Sequence, residues 1–279
     1  MNFAYVTYDG PDDDREVLLA AWRRAGAEGA AVRWDDPAAD WDSFDAAVVR
    51  SPWDYILRRD QFVEWAHKVE SGTRLFNPAS VIERNTDKTY LRDLDVPTVP
   101  THWIHPGEQV TLPRQAEYAE YAENLEYVVK PAISAGARDT MRTADRATAE
   151  AHARALVAAG RVAMVQPYLD MVETEGETSM IYIGGRFSHA RRRNAMLADV
   201  VPADHRAVPA RDPGPDQFAL AERVLAEVGE DLLYARVDLV RLPGGAPALI
   251  ELELTEPYLF LSTTPGAADR LTTALLTRL

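Results

Sequence analysis

Residues 233–254 read Leu233-Tyr234-Ala235-Arg236-Val237-Asp238-Leu239-Val240-Arg241-Leu242-Pro243-Gly244-Gly245-Ala246-Pro247-Ala248-Leu249-Ile250-Glu251-Leu252-Glu253-Leu254. Two apolar strands flank a Pro/Gly turn, which is a strong hairpin signal. Pairing symmetric about Gly244-Gly245 sets Asp238 opposite Glu251 and Arg236 opposite Glu253. Alternation then gathers these four on one face and leaves Val237, Leu239, Ile250, Leu252 and Leu254 on the other. Carboxylates brought together on adjacent strands repel one another unless a cation lies between them. Oxygen ligands without histidine or cysteine suit Mg²⁺ or Mn²⁺, not zinc, and magnesium so held normally completes its shell with substrate phosphates. The bland alternative is a solvated hairpin, which gives no reason for acids in register.

The lysines point the same way. Among 30 basic residues only Lys68, Lys88 and Lys130 are lysine; the other 27 are arginine. A chain that prefers arginine elsewhere keeps lysine where a compact charge must meet crowded phosphate oxygens. Lys88 heads a short helix after Asn85-Thr86-Asp87, and Lys130 ends the apolar strand Tyr127-Val128-Val129. The small-residue loop Ser134-Ala135-Gly136-Ala137 follows, and its backbone N–H groups can approach phosphate closely. Chance survival of two lysines is the alternative.

Outward from these motifs, the chain reads as α/β followed by α+β. Over residues 1–84, strands at 3–8, 31–34, 44–50 and 74–76 alternate with helices at 16–25 and 61–69, implying a parallel sheet of Rossmann type. No Gly-x-Gly-x-x-Gly follows the first strand, so the dinucleotide fingerprint is missing. Residues 85–164 suit a small lobe, with short helical stretches over 79–94, strands at 99–103 and 127–131, and helices at 115–125 and 146–158. Residues 165–279 are mostly strand: 162–166 leads in, then 178–183, 186–191 and the hairpin, framed by helices at 217–228 and 267–276. The hydrophobic content of 47% is that of an ordinary globular protein, and no apolar run approaches a membrane span. Residues 1–6 read as a first strand, not a signal peptide. A net charge of −14 argues against nucleic acid, and zero cysteines excludes disulfides and thiolate catalysis. A cytoplasmic enzyme is the expectation.

These motifs, in this order, resemble the ATP-grasp superfamily of carboxylate–amine ligases over nearly the whole chain. The resemblance implies an N-terminal domain and two lobes clasping ATP, with Lys88, Lys130 and the loop Ser134, Ala135 and Gly136 on the phosphates. It implies that Gln166, Pro167, Tyr168 and Leu169 form the hinge whose backbone reads adenine, and that Glu177 binds ribose. Asp238, Glu251 and Glu253 match the metal set, although asparagine is usual where Glu253 stands. Arg236 matches the arginine that stabilises the reaction centre. Within the superfamily, Arg50-Ser51-Pro52-Trp53-Asp54-Tyr55, residues 134–140 and Phe187-Ser188-His189-Ala190 are most similar to the ligases that close the ring of D-cycloserine from O-ureido-D-serine. Glutathione synthetases and ribosomal-protein glutamate ligases are more distant.

The activity so implied is attack of an amino-acid-like carboxylate on ATP, followed by amide formation with release of ADP and phosphate, and ring closure of an O-substituted serine is one form of it. A phosphotransferase and a non-catalytic ATP-binding module are the rivals. The edge beyond the third strand makes Arg50, Ser51, Trp53 and Tyr55 the substrate candidates, with Arg50 pairing a carboxylate. Core packing accounts equally well for Trp53 and Tyr55. Of Arg191, Arg192 and Arg193 at most two face one side of a strand; Arg192 is assigned to the reaction centre with Lys130 and Arg236. His189 is a candidate base, although packed histidines are commoner on strands. The expected partner is a small molecule and, at most, a second copy of the chain.

Overall fold

The computed structural model describes residues 1–118, 120–121, 126–194, 197 and 208–279. β1 (Asn2–Thr7), β2 (Glu28–Arg33), β3 (Ala46–Ser51) and β4 (Arg74–Phe76) form a parallel sheet in the order β2-β1-β3-β4. All of β3 is buried, as is β1 after its first residue. That is the pattern of a sheet covered on both faces. Alternation sends Phe3 and Tyr5 toward α1 (Arg15–Arg24), where Leu18 and Trp22 sit one turn apart on the inner face. Ala4 and Val6 point the other way, onto Phe62, Trp65 and Val69 of α2 (Arg59–Glu70). Each aromatic or leucine so withdrawn from water contributes about 2 kcal/mol.

α3 (Ala79–Asn85) and a single 3₁₀ turn, Lys88–Arg92, are the two short helical stretches anticipated after the break at Asn77-Pro78. The second sheet comprises β5 (His102–Ile104), β6 (Tyr127–Pro131), β7 (Met141–Thr143) and, beyond α4 (Arg146–Ala158), β8 (Ala163–Pro167), in the order β5-β8-β6-β7. Asp145 caps α4 through its carboxylate on the Ala147 and Thr148 N–H groups. Ala149, Ala153 and Leu156 pack that helix on Val129 and Val165. The strand expected from residue 99 begins at His102, because residues 97–99 run beside another strand: Val99 N–H donates to Leu249 O at 3.0 Å and Leu249 N–H to Pro97 O at 2.8 Å. Of the helix expected over 115–125 the described part is a 3₁₀ turn, Gln115–Glu117; positions 119 and 122–125 lie outside the described residues. β8 straddles the expected boundary at 164/165 and completes this sheet.

After α5 (Met171–Thr174) come β9 (Glu177–Ile183), β10 (Arg186–Arg193), α6 (Pro215–Val228), β11 (Tyr234–Arg241), β12 (Pro247–Glu253) and α7 (Ala267–Leu276). The four strands form an antiparallel sheet in the order β10-β9-β11-β12. One face packs Met180, Val237, Leu239 and Leu252 on Leu220 and Val224 of α6. The opposite face carries Ile181, Ile183 and Tyr234 into the same core as Phe3, Tyr5 and Trp22, sealed by Leu271 and Leu275 of α7. The last helix thus returns to the first sheet. Among the described residues no helix is long and apolar enough to cross a membrane.

Candidate active site

The hairpin fixes the acids. Arg236 pairs with Glu253 and Asp238 with Glu251, as the turn predicts. The pairing reaches this register through a bulge: near the turn Leu239 faces Leu249, and the register shifts between Asp238 and Leu239. Ile250 lies at that shift and lines the cleft instead of joining the inner face. The outer edge of β12 is held by side chains. Tyr90 Oη donates to Leu252 O (2.7 Å) and accepts from Leu252 N–H (2.8 Å), while Asn85 donates to Leu252 O (2.8 Å) and accepts from Leu254 N–H (2.7 Å). Satisfying that edge fixes the strand carrying Glu251 and Glu253. Neither Asn85 nor Tyr90 carried a role in the sequence reading.

Ligand atoms of Asp238, Glu251 and Glu253 lie within 4.8 Å of one another. Cationic side chains surround them. Asp238 is fully buried and accepts from Arg236 Nη2 (2.9 Å) and Nε (3.0 and 3.1 Å), and from Arg193 Nη1 (2.9 Å). Arg236 also bonds Glu253, and Arg193 lies 3.6 Å from Glu177. Lys88 Nζ sits between Glu251 Oε1 (3.2 Å) and Ser134 O (2.6 Å), tying the metal-ligand candidates to the small-residue loop. Burial opposes charge on Lys88, yet Glu251 outweighs it and raises the ammonium's pKa. Among the described residues Lys130 has no partner so close: burial lowers its pKa, with Lys88 adding to the effect. Burial pushes the Glu253 carboxyl up against the pull of Arg236, whereas Lys88 and Lys130 overcome burial at Glu251 and hold it down.

Lys88, Lys130, Arg193, Arg236, Glu251 and Glu253 line a cleft of about 900 Å³, whereas the fully buried Asp238 is not part of its lining. Gln166, Pro167, Tyr168 and Leu169 line it too, beside the apolar Val99, Val128 and Ile250. Of that hinge's backbone donors, Tyr168 N–H already bonds Glu126 O (2.8 Å), and Pro167 has none. The Tyr168 ring is stacked under the Arg142 guanidinium at 3.5 Å. Ser134, Ala135, Gly136, Glu177, Lys130, Trp53 and Tyr55 also face the cleft.

Three expectations are corrected. Arg50 is 2% exposed and does not reach the cleft; its guanidinium donates to Pro257 O (2.6 Å) and Val49 O (3.3 Å) above the Tyr234 ring. Ser51 is fully buried, its Oγ 2.9 Å from Thr7 Oγ1. Both belong to the fully buried β3, which ends at Ser51, one position later than expected. Arg192 points away, donating to the Thr174 and Glu175 carbonyls and to Asn194. The cause is a second bulge. Arg186 faces Ile183 beside the Gly184-Gly185 turn, but the register shifts at Ser188, so Arg193 and not Arg192 faces Glu177. A one-residue slip turns every later side chain to the other face. His189 is likewise structural: its ring nitrogens bond Leu259 O and Ser188 Oγ, both at 2.9 Å, and burial holds its pKa down at about 4.

Glu256 is the acid that sequence reasoning missed. It lines the cleft together with Trp53 and Tyr55, and Trp53 Nε1 donates to its carbonyl (3.1 Å). Burial lifts the Glu256 carboxyl to about 7. The signal in the sequence is a lone charge before proline, Thr255-Glu256-Pro257, inside an apolar run.

Comparison with known proteins agrees with this geometry. Residues 3–77 match the family described as D-cycloserine synthetase DcsG, N-terminal domain. The chain is 36% identical over 285 residues to the cycloserine biosynthesis protein DcsG of Streptomyces lavendulae, covering 96% of this chain and 94% of that protein. A crystal structure of D-cycloserine synthetase DcsG superposes with a TM-score of 0.89 at 35% identity, covering 100% of this chain and 99% of that one. At the level of fold alone, a D-alanine–D-alanine ligase from Bacillus anthracis complexed with ATP gives 0.68 at 12% identity, covering 99% and 96% of the two chains. The chain belongs to the family of the cycloserine biosynthesis protein DcsG and is an ATP-dependent ligase of the ATP-grasp fold.

Proposed function

We propose that this ligase uses ATP to activate the carboxylate of a small amino acid as an acyl phosphate and then closes an amide within the same molecule, an O-substituted serine such as O-ureido-D-serine. One observation carries this reading: Lys88 joins the small-residue loop to Glu251, so phosphate-binding and metal-ligating groups meet beside a pocket walled by Trp53 and Tyr55. The pocket is suited to a small acceptor, and the sequence relatives named for cycloserine support a cyclising one. Segments 1–84, 85–164 and 165–279 are proposed as the three lobes bounding the cleft, and the absence of cysteine suits a reducing cytoplasm.

The hard-oxygen set Asp238, Glu251 and Glu253 fits Mg²⁺ or Mn²⁺, because nitrogen and sulfur ligands are missing and the oxygens lie close enough to share an ion. When bound, such an ion offsets charge on the phosphates. Lys88 and Lys130 then hold phosphate oxygens, and the loop Ser134, Ala135 and Gly136 covers them. Gln166, Pro167, Tyr168 and Leu169 would enclose the base, and Glu177 the ribose. Arg236 keeps one nitrogen, Nη1, on only a 3.3 Å contact to Tyr258 O, and this is the donor positioned to meet the oxyanion formed as the nitrogen attacks. Arg193 takes the place first given to Arg192 beside the acids. Ring closure gains from having both reactants in one molecule.

The test is ADP release across a panel of amino acids and O-substituted serines, with product mass spectrometry. The expected result is turnover of an O-substituted serine without a second amine. A phosphorylated product would favour phosphotransfer, and turnover only with two substrates would favour intermolecular ligation.

A further inference from the structure

We propose that Glu256, which lines the cleft beside Trp53 and Tyr55, is the anionic anchor for the ammonium group of the amino-acid substrate. The assignment rests on the functional reading above and deepens it. Of the acids gathered here, Asp238 is ion-paired with Arg193 and Arg236, Glu251 with Lys88, Glu253 with Arg236, and Glu177 lies 3.6 Å from Arg193. Among the described residues, Glu256 is in no ion pair. It is also outside the group whose ligand atoms can share one metal ion, so a cation held by Asp238, Glu251 and Glu253 does not answer for it.

A withdrawn carboxylate without a countercharge is costly unless the ligand supplies one. Here the surroundings hold the backbone of the loop in place. Trp53 and Arg50 clamp the carbonyls of Glu256 and Pro257, and the Tyr234 hydroxyl donates to Thr255 O at 2.9 Å. Tyr55 is buried and stacked on Phe62, so its ring is a fixed part of the cleft wall. The wall of Trp53 and Tyr55 gives the rest of a small side chain an aromatic surface. An amino acid fits this arrangement with its carboxylate toward Lys88 and Lys130 and its ammonium on Glu256. The arrangement also explains why a loop so buried carries an acid where packing alone would favour an apolar residue.

The experiment compares O-ureido-D-serine with 3-(ureidooxy)propanoate, the same molecule without its amino group, on wild type and Glu256→Gln. A charge-assisted hydrogen bond predicts a wild-type preference for the amino compound of about 10- to 100-fold in kcat/KM. Glu256→Gln should raise KM for O-ureido-D-serine by a similar factor, leave KM for ATP and Mn²⁺ affinity near wild type, and bring the preference close to one. Unchanged ATP and Mn²⁺ binding also shows that the variant is folded. Preference retained in Glu256→Gln would overturn the assignment, as would a fall in Mn²⁺ affinity, which would make Glu256 a metal ligand. Failure of wild type to turn over either compound would instead sink the substrate reading on which the assignment stands.

Discussion

Glu251→Gln should lower kcat for ADP release by about 1,000-fold or more while leaving thermal stability close to wild type. Lys88 and Lys130 overcome the burial of this carboxyl and hold its pKa down, which favours the charged form. Losing that charge removes a proposed metal ligand and the partner of Lys88 together. Lys88 keeps its bond to Ser134 O, and Asn85 and Tyr90 still hold the strand, so the fold survives. Asp238→Asn should be as inactive but also less stable, by roughly 3–5 kcal/mol, because Arg193 and Arg236 would lose a fully buried counter-ion. Glu253→Asn should be the mild member, within about 10-fold of wild type. Burial already pushes its carboxyl up, so its charge is disfavoured, and Arg236 retains Asp238. Activity is measured by coupled ADP release, and stability by thermal melting. Full activity of Glu251→Gln, or wild-type turnover in excess chelator, would remove the metal from the account.

Lys88→Arg and Lys130→Arg should each cost about 100-fold or more in kcat/KM for ATP, although arginine is the residue this chain otherwise prefers. Lys88 Nζ occupies a gap between two oxygens at 2.6 and 3.2 Å, with its side chain 12% exposed. A planar fork does not enter that gap without displacing Ser134 or Glu251. Lys130 is set in the buried strand β6, facing the same acid. Lys68 is exposed on α2, and Lys68→Arg should be silent. Equal kinetics for all three variants would show that lysine is kept by accident.

The hairpin was legible because turn residues and alternation together determine which side chains are opposed. Arg236, Asp238, Glu251 and Glu253 fell into register from spacing alone, even with a bulge closer to the turn. On β10 alternation limited the inward arginines to two without saying which, and a bulge at Ser188 put Arg193, not the assigned Arg192, opposite Glu177. Bulges leave no reliable mark in the sequence, and one residue of slip reverses the faces. Arg50 was misassigned for a different reason. Its partner is the carbonyl of Pro257, some 207 residues away, and backbone acceptors are invisible to motif reading. Return of α7 to the first sheet is equally tertiary: the spacing of Leu271 and Leu275 shows an apolar face but not what covers it. Asn85 and Tyr90 act through β12 backbone, so they too gave no pattern.

The most direct test of the central claim follows oxygen. O-ureido-D-serine labelled with ¹⁸O in both carboxylate oxygens is turned over with ATP, and the released phosphate is analysed by mass spectrometry. If the carboxylate attacks the γ-phosphate and the acyl phosphate is then opened by nitrogen, one labelled oxygen leaves with each phosphate and one stays in the product carbonyl. Phosphate carrying no label, with both labelled oxygens retained in the organic product, would contradict the account.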